Sequence, residues 1–558
     1  MQDPRQITLD LAAIAGLLEF GGASKFRVNA FRRGADIVND LGDELGALVE
    51  QGRLQEFEGI GPTLSQQIEE LWNTGRSELL ARLLAEAPEG VLELMQIPGL
   101  TPRRIHALHT ALGIRSAVEL RAACAAGRVA KVKGFGAKTE AKLLEAVQSW
   151  LTRDERPRDP LPLADALELA ELVRKRLLTV TETAELAGAL RRGEELVRTL
   201  EFVVTGDVER ALDAISSLRE VLRVDRAGRS AVMTDGVTLE LHAAERADLG
   251  RALVVATGSD EHLAALRARA KERNVELERA FSEEREVYAA VGCAFVPPEL
   301  REGRSELAEA SERDFTDLVE LADIQGMVHC HTSYSDGKNS VLEMARAAHA
   351  RGMKYITITD HSPSAHYARG VALDRLKAQW DDIAAARAEV PIRILAGTES
   401  DILADGALDY PDDVIERFDV LIASIHARHR MDRAAMTERL SRAMAFPAFK
   451  IWGHALGRIL NHRAPIDCDV PAVLDALARS RGAVEINADP HRLDLPPAWM
   501  PAVRERRLPF VISVDAHSTR GLDVLRYGVV MARRGGVRKS EVLNAGSAER
   551  FAASVKPV

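Results

Sequence analysis

From residue 324 to the C-terminus, seven short apolar runs recur, and nearly every one ends in a side chain able to bind a metal ion. The runs are MVHCH, YITITDH, RILAGTES, VLIASIH, KIWGHA, AVEINA and FVISVDAH, separated by amphipathic helical stretches. Short β-rich segments alternating with helices predict parallel strands joined by crossover helices, and seven such units predict a (β/α) barrel. Barrel enzymes carry their chemistry at the C-terminal ends of the strands. His329 and His331, His361, Glu399, His426, His454, and Asp515 with His517 stand at those ends. They are therefore expected to converge on one site.

Side chains alternate across a strand, so His329 and His331 are expected to face one way and Cys330 the other, as packing. The following turn supplies Asp336. Mixed imidazole and carboxylate ligands suit zinc, manganese or iron, and nine candidates are too many for one ion of four to six ligands. Two or three divalent ions sharing Glu399 as a bridge is the economical arrangement. Glu485 and Asn487 also end a strand and are expected to orient ligands. His349, His366, His429, His462 and His491 lie away from strand ends and are read as ordinary side chains. Eleven of the 15 histidines fall after residue 321, which reinforces metal chemistry in this half of the chain.

The preceding sequence is organised differently. At 558 residues the chain exceeds one hydrophobic core and predicts three or four domains. Residues 1 to about 150 read as short amphipathic helices separated by glycine turns, in EFEGIGPTLSQQIEEL, LMQIPGLTPRRIHAL and VAKVKGFGAKTEAKLL. The charged, proline-rich segment TRDERPRDPLPLAD, residues 152–165, reads as a linker. The formal net charge is −10, so any contact with nucleic acid has to be local. The absence of an 18-residue apolar run, the acidic residues near the N-terminus and four scattered cysteines without a CxxC pair predict a cytoplasmic protein with no membrane segment.

The series HCH…SDGKN, ITDHS, GTESDIL, ASIH, GHALGR, EINADPHRLDL and VDAHS resembles the PHP (polymerase and histidinol phosphatase) domain, in the form fused to bacterial family X DNA polymerases. The resemblance implies a trinuclear centre. One ion would take His329, His331, Glu399 and Asp515, a second Glu399, His426 and His454, and a third Asp336, His361 and His517. Where the family has proline after its fifth-strand histidine, this chain has Ala455. Lys338, Arg458 and Arg492 are the cations nearest these motifs and are expected to hold phosphate oxygens.

The three glycine turns resemble helix-hairpin-helix elements, whose backbone N–H groups grip DNA phosphates without reading sequence. Gly59 and Gly61, Gly99, and Gly134 with Gly136 mark them, and Lys131, Lys133, Lys138 and Lys142 are the local cations. At the second turn Thr101 replaces the usual glycine, which puts its grip in question. Residues 160–310 resemble a family X palm and thumb through GALRRGEELV, ATGSDEHLAALRARAKERN and VYAAVGCAFVPPELREG. The catalytic positions depart from the family pattern. Its three metal-binding aspartates align with Thr199, Glu201 and Glu240, and Ala189 and Ala256 also replace family residues. A hydroxyl replaces a carboxylate poorly, and glutamate sets its oxygens roughly 1.5 Å further out. Asp207 and Glu209 form a D-x-E that reads instead as a turn and helix start.

The implied architecture is multidomain. Residues 1–85 form a first helix-hairpin-helix domain, 86–155 a second, fingers-like one, 160–232 a palm, 233–312 a thumb and 320–558 a PHP barrel. The implied activity is DNA repair by metal-dependent 3′-to-5′ hydrolysis of DNA phosphodiesters, extending to AP-site and 3′-end processing, with nucleotide addition absent or weakened. A monomer acting on gapped, nicked or 3′-ended DNA is expected. Three alternatives stay open: a working gap-filling polymerase, a small-molecule phosphatase and a non-catalytic DNA-end scaffold.

Overall fold

The computed structural model describes residues 4–41, 44–57, 59–88, 90–151, 159–218 and 220–557. Two compact units make up the chain, Met1–Arg158 and Asp159–Val558. The first unit is helical and holds two apolar clusters. One, around Leu11, Ile14, Val38 and Ile68, unites the helices before residue 80. The other, around Leu94, Ile105, Leu120 and Val147, unites those after residue 90 with Leu17 and Phe20 of the helix Pro4–Phe20.

In the second unit a five-stranded sheet comes first. Its strands are β1 Thr183–Ala187, β2 Thr199–Thr205, β3 Val221–Asp225, β4 Ser230–Met233 and β5 Thr238–Ala244, in the order β1-β2-β5-β4-β3. β2 and β5 run parallel and pair Glu201 with Glu240. The palm boundary expected at residue 232 is therefore too early, because the strand bearing Glu240 lies inside the sheet and the β4–β5 hairpin is part of it. The expected linker is also too long. Residues 152–158 lie outside the described residues, and by Leu163, buried at 1%, the helix Leu163–Leu177 has begun. Asp207 caps the helix Val208–Ser216 by accepting from the N–H groups of Glu209 and Arg210, as the turn-and-helix expectation required.

Helices Leu249–Thr257, Asp260–Glu272 and Glu284–Ala290 follow, around a core that includes Leu266, Val287 and Val291. Inside it, His262 bonds Glu306 through Nδ1 at 2.6 Å and Tyr288 through Nε2 at 2.9 Å, so this buried polar triad is satisfied.

The remaining strands are β6 Gly326–Cys330, β7 Tyr355–Ile358, β8 Arg393–Asp401, β9 Val420–Ser424, β10 Lys450–Trp452, β11 Gly482–Asn487 and β12 Phe510–Ser513. They form one parallel sheet in sequence order. All seven runs read from the sequence are present. The edges nearly close: Val514 N–H donates to Val328 O, Ala516 N–H to His329 O and His331 N–H to Ala516 O. One side of every strand meets in a common apolar cluster through Val328, Tyr355, Leu395, Ile422, Ile451, Ala483 and Val511. Phe551 and Val555 of the helix Ala548–Val555 join that cluster, with Phe551 stacked on Tyr355 at 4.9 Å. The apolar plug at one end leaves the C-terminal strand ends for polar chemistry.

Candidate metal centre and nucleic-acid interface

Counting along each strand in steps of two from the apolar cluster reaches the candidate ligands directly. Leu395 leads to Glu399, Ile422 to His426, Tyr355 to His361, and Val511 to Asp515 and His517. His329 and His454 fall on the wrong parity, and both have positive φ, at 67° and 22°. Around His329 the β6–β7 register shifts, so Val328 and His329 both turn inward. The Oγ1 groups of Thr357 and Thr359 accept the N–H groups of His329 and Cys330 that the irregular pairing frees. His329 and His331 face the same way with Cys330 opposite, as alternation requires, and the bulge before His329 is what turns the pair inward. Cys330 is fully buried as apolar packing.

Glu399 is fully buried, and its two oxygens face different partners. Oε2 lies 3.3 Å from His329 Nε2, 3.7 Å from His331 Nε2 and 3.0 Å from His361 Nδ1. Oε1 lies 2.8 Å from His454 Nε2 and 3.2 Å from His426 Nε2. This is the disposition a bridging carboxylate needs. Asp515 Oδ1 is 3.3 Å from His331 Nε2, and Asp336 Oδ1 is 3.4 Å from His517 Nε2 and 3.6 Å from His361 Nε2. The candidates form overlapping groups of His329, His331 and Asp515, of His361, Glu399 and His426, and of His331, Asp336, His361 and His517. His331 and His361 each belong to two groups, which the three-ion assignment did not anticipate.

Charge is arranged to match. Burial pushes the Glu399 carboxyl up, but His426, His329 and His361 outweigh it and hold the group well below the usual carboxylate range. Burial, reinforced by His517 and His361, lowers His331 to about 3, leaving a neutral imidazole. Burial is overcome at His426, which Glu399 and Asp401 raise to about 10, and at His517, which Asp336 raises to about 9. His329 Nε2, both ring nitrogens of His331, His361 Nδ1, Glu399 Oε2 and His454 Nδ1 are buried without a hydrogen-bond partner. Polar atoms so placed are costly unless something binds them, and the donor set of imidazoles and carboxylates fits divalent cations.

Behind the ligands stand residues that aim them. Glu485 accepts from His329 Nδ1 at 2.6 Å, and Asn487 donates to both Glu485 and Asp515, as the sequence led us to expect. Sequence reasoning missed two more. Asp401 bonds His426 Nδ1 at 3.0 Å, and Asp360 accepts from Thr332, Ser335 and Gln379, fixing the turn that carries Asp336. Both stand within two residues of a ligand in sequence, the one signal available.

The expected phosphate cations divide. Arg492 Nε lies 3.6 Å from Asp515 Oδ2, and its Nη1 is buried without a hydrogen-bond partner. Exposed Lys338 donates its backbone N–H to His517 O, which puts it beside the centre. Arg458 is a correction. Its guanidinium pairs with Glu195 at 3.1 Å and donates to the carbonyls of Arg492 and Leu493, so its charge is spent holding the 489–495 loop to the palm.

Comparison with known proteins places this geometry. The chain is 33% identical over 567 residues to the DNA polymerase/3′-5′ exonuclease PolX of Bacillus subtilis (strain 168), with 98% of each chain covered. The chain belongs to the bacterial PolX family. Within it the PHP domain model matches residues 328–488, and the DNA polymerase beta thumb model matches 252–302. A helix-hairpin-helix domain matches 4–77, and a SAM-like helix-hairpin-helix tandem matches 91–149. A probable phosphatase of Caldanaerobacter subterraneus subsp. tengcongensis is 30% identical over 165 residues, 28% of this chain and 60% of that protein.

In this PolX chain the palm is unlike the barrel. Glu201 Oε2 bonds His242 Nε2 at 2.9 Å, and the same carboxylate packs on Gly188, where a Cβ would lie 2.1 Å from Oε1. Glu201, Glu240 and His242 bring ligand atoms within 4.8 Å of one another, and Thr199 opens the same strand as Glu201. His242 escaped the sequence reading although it follows Glu240 by two and shares its face of β5. The PolX hairpins also differ among themselves. Gly59 and Gly134 have φ of 106° and 92°, and Gly61 and Gly136 precede the helices Pro62–Thr74 and Ala137–Leu151. Lys131, Lys133, Lys138 and Lys142 are all exposed around the third. At the second, after Gly99 with φ 86°, Thr101 Oγ1 accepts the N–H of Arg104. One donor a phosphate would use is thereby taken. Among the described residues no helix is long and apolar enough to cross a membrane.

Proposed function

We propose that this chain is a DNA-processing enzyme whose PHP barrel hydrolyses DNA phosphodiesters from the 3′ end, and whose palm adds nucleotides weakly or not at all. The observation that carries it is the contrast between two sites. Among the described residues, nine candidate ligands converge in the barrel, where six of their buried nitrogen and oxygen atoms lack a hydrogen-bond partner, while the palm offers a single half-buried group of Glu201, Glu240 and His242. His329, His331, Glu399 and Asp515, then His426 and His454, then Asp336, His361 and His517 would hold two or three ions, manganese or zinc by donor type. Bound there, divalent ions supply Lewis acidity and lower the pKa of water from about 15.7 to about 7.

The chain's own residues supply the rest. Glu485 and Asp401 fix the tautomers of His329 and His426, Asn487 steadies Asp515, and Arg492 offers an unpaired N–H to a phosphate oxygen. Lys131, Lys133 and Lys138, with the N–H groups after Gly59, Gly61, Gly134 and Gly136, hold the DNA backbone. The domain limits follow as 1–85, 86–155, a palm extended to Ala244, a thumb to 312, and 320–558. The test is 3′-to-5′ degradation of labelled DNA in Mn²⁺: His329→Ala should abolish it and leave DNA binding intact. Retained hydrolysis would sink the proposal.

A second reading keeps the polymerase active, because Glu201, Glu240 and His242 lie close enough to share one ion. The Bacillus subtilis relative is named a polymerase as well as an exonuclease. Gap filling that depends on Glu201 would establish it.

A further inference from the structure

The loop after His361 sets an aromatic ring at the mouth of the barrel centre that no ligand assignment uses. Tyr367 is 68% exposed, whereas Ala365 and Ala368, on either side of it, are buried. The turn is firmly held. Ala368 and Gly370 donate backbone N–H groups to Ala365 O, Val371 donates to His361 O, and Ser364 donates through both N–H and Oγ to Asp409. Gly370 is needed there, since a Cβ would lie 1.9 Å from Ser362 O. The fold therefore keeps a large apolar side chain in water by construction, although such a ring gains most from burial.

The ring touches the site only at its border. Its centroid is 5.9 Å from the His361 ring at 63° and 6.1 Å from the His426 ring at 57°. Its hydroxyl lies within electrostatic reach of the carboxylates Glu399, Asp401 and Asp336 of the centre, with Arg492 and the half-buried Arg463 also within reach. An open aromatic face beside phosphate-binding cations is how proteins hold single-stranded nucleic acid without reading sequence, with bases stacked on the ring and the backbone neutralised. An aliphatic phosphomonoester would gain nothing from it.

We propose that Tyr367 is the stacking platform for the terminal nucleobase of the strand being hydrolysed, and that it makes this site selective for nucleic-acid ends. The proposal rests on the hydrolytic function above and deepens it. Tyr367 is then a specificity-determining residue that touches substrate and leaves the bond-breaking groups to others.

Two measurements test it. The first compares 3′-to-5′ hydrolysis of a single strand ending in a normal nucleotide with one ending in an abasic tetrahydrofuran residue. Wild type should favour the normal end about 5- to 150-fold, the range for one stacked base. Tyr367→Ala should collapse that ratio toward one, and Tyr367→Phe or Tyr367→Trp should restore it. The second measures quenching of a 3′-terminal 2-aminopurine on binding in EDTA, which needs no hydrolysis. Quenching should occur with wild type and Tyr367→Phe and be lost in Tyr367→Ala. An unchanged ratio and unchanged quenching in Tyr367→Ala, or failure of phenylalanine to substitute, would overturn the proposal. Absence of hydrolysis in wild type with quenching preserved would overturn the hydrolytic function and leave Tyr367 standing as a base-binding residue.

Discussion

Replacing Glu485 by glutamine removes one oxygen's charge and keeps the shape, yet every orientation of the amide is wrong for this site. Glu485 is fully buried. Its Oε1 accepts from His329 Nδ1 and Ser513 Oγ, both at 2.6 Å, and its Oε2 accepts from Asn487 Nδ2 at 3.2 Å and from the His454 N–H. All four neighbours are served by a pure acceptor. If the new NH₂ faces His454 and Asn487, it opposes two donors, and each buried donor left unpaired costs about 1–3 kcal/mol. If it faces His329, that ring can accept at Nδ1 only by moving its proton to Nε2. The Nε2 lone pair aimed at Glu399 and Asp515 then disappears. The first orientation keeps the His329 tautomer but strands the backbone N–H of the ligand His454, and the second spoils His329 itself as a ligand. Removing such a supporting group typically weakens metal affinity 10- to 100-fold, about 1.4–2.7 kcal/mol. The assay is calorimetric titration of Mn²⁺ into chelator-stripped Glu485→Gln, with the hydrolysis rate followed against free Mn²⁺. The expected result is a Kd weakened by that factor and a rate largely recovered at saturating Mn²⁺. An affinity within about twofold of wild type, well short of the typical effect of a supporting group, would refute the tautomer mechanism.

In the metal-free protein His426 and His517 are raised to about 10 and 9, so both hold protons at neutral pH that a cation has to displace. Mn²⁺ affinity should therefore rise between about pH 6 and 9 with measurable proton release. The same raised values stabilise the metal-free fold fully below the unfolded histidine value near about 6.5, and that contribution should fade as pH climbs through about 9 and 10. In the palm, hydrogen bonding to Glu201 raises His242 above its ordinary value, and NMR titration of Glu201→Gln should find it returned toward 6.5. Converting Lys131, Lys133 and Lys138 to alanine should weaken DNA binding alike on all sequences and flatten the logarithmic salt dependence by about 0.7–0.9 for each phosphate no longer neutralised.

The barrel was legible because its signal is repeated. Seven runs carry the same instruction, and the rule that chemistry sits at strand ends selects Glu399, His426 and Asp515 without knowledge of three-dimensional neighbours. What stayed hidden is what depends on a single backbone torsion or on a partner far away in sequence. Nothing in VHCH announces that His329 adopts φ 67°, and strict alternation from Val328 would have turned it outward. Arg458 looked like a phosphate cation because it stands in a ligand motif, but the carboxylate that claims it lies 263 residues earlier. That the sheet runs on past the expected palm limit of 232 to Ala244 was hidden for a related reason. A hairpin that returns Glu240 to the strand of Glu201 is a tertiary fact that local sequence does not announce.

The two acidic sites of the second unit differ in how their charge is balanced, and that difference bears on what each can do. In the barrel, His329, His454 and Asp515 hold positive φ, and such residues cost about 1–3 kcal/mol each. Around them lie buried nitrogens and oxygens with no hydrogen-bond partner. A fold keeps both expenses only where binding offsets them, and cations do so while leaving open positions for substrate. In the palm, Glu201 finds a proton donor in His242 of its own sheet and a close backbone approach at Gly188, so its charge is answered without an ion. A cation held by Glu201, Glu240 and His242 would compete with the Glu201–His242 hydrogen bond. Among the described residues the palm thus offers one half-buried set of three side chains, whereas the barrel brings three overlapping sets together.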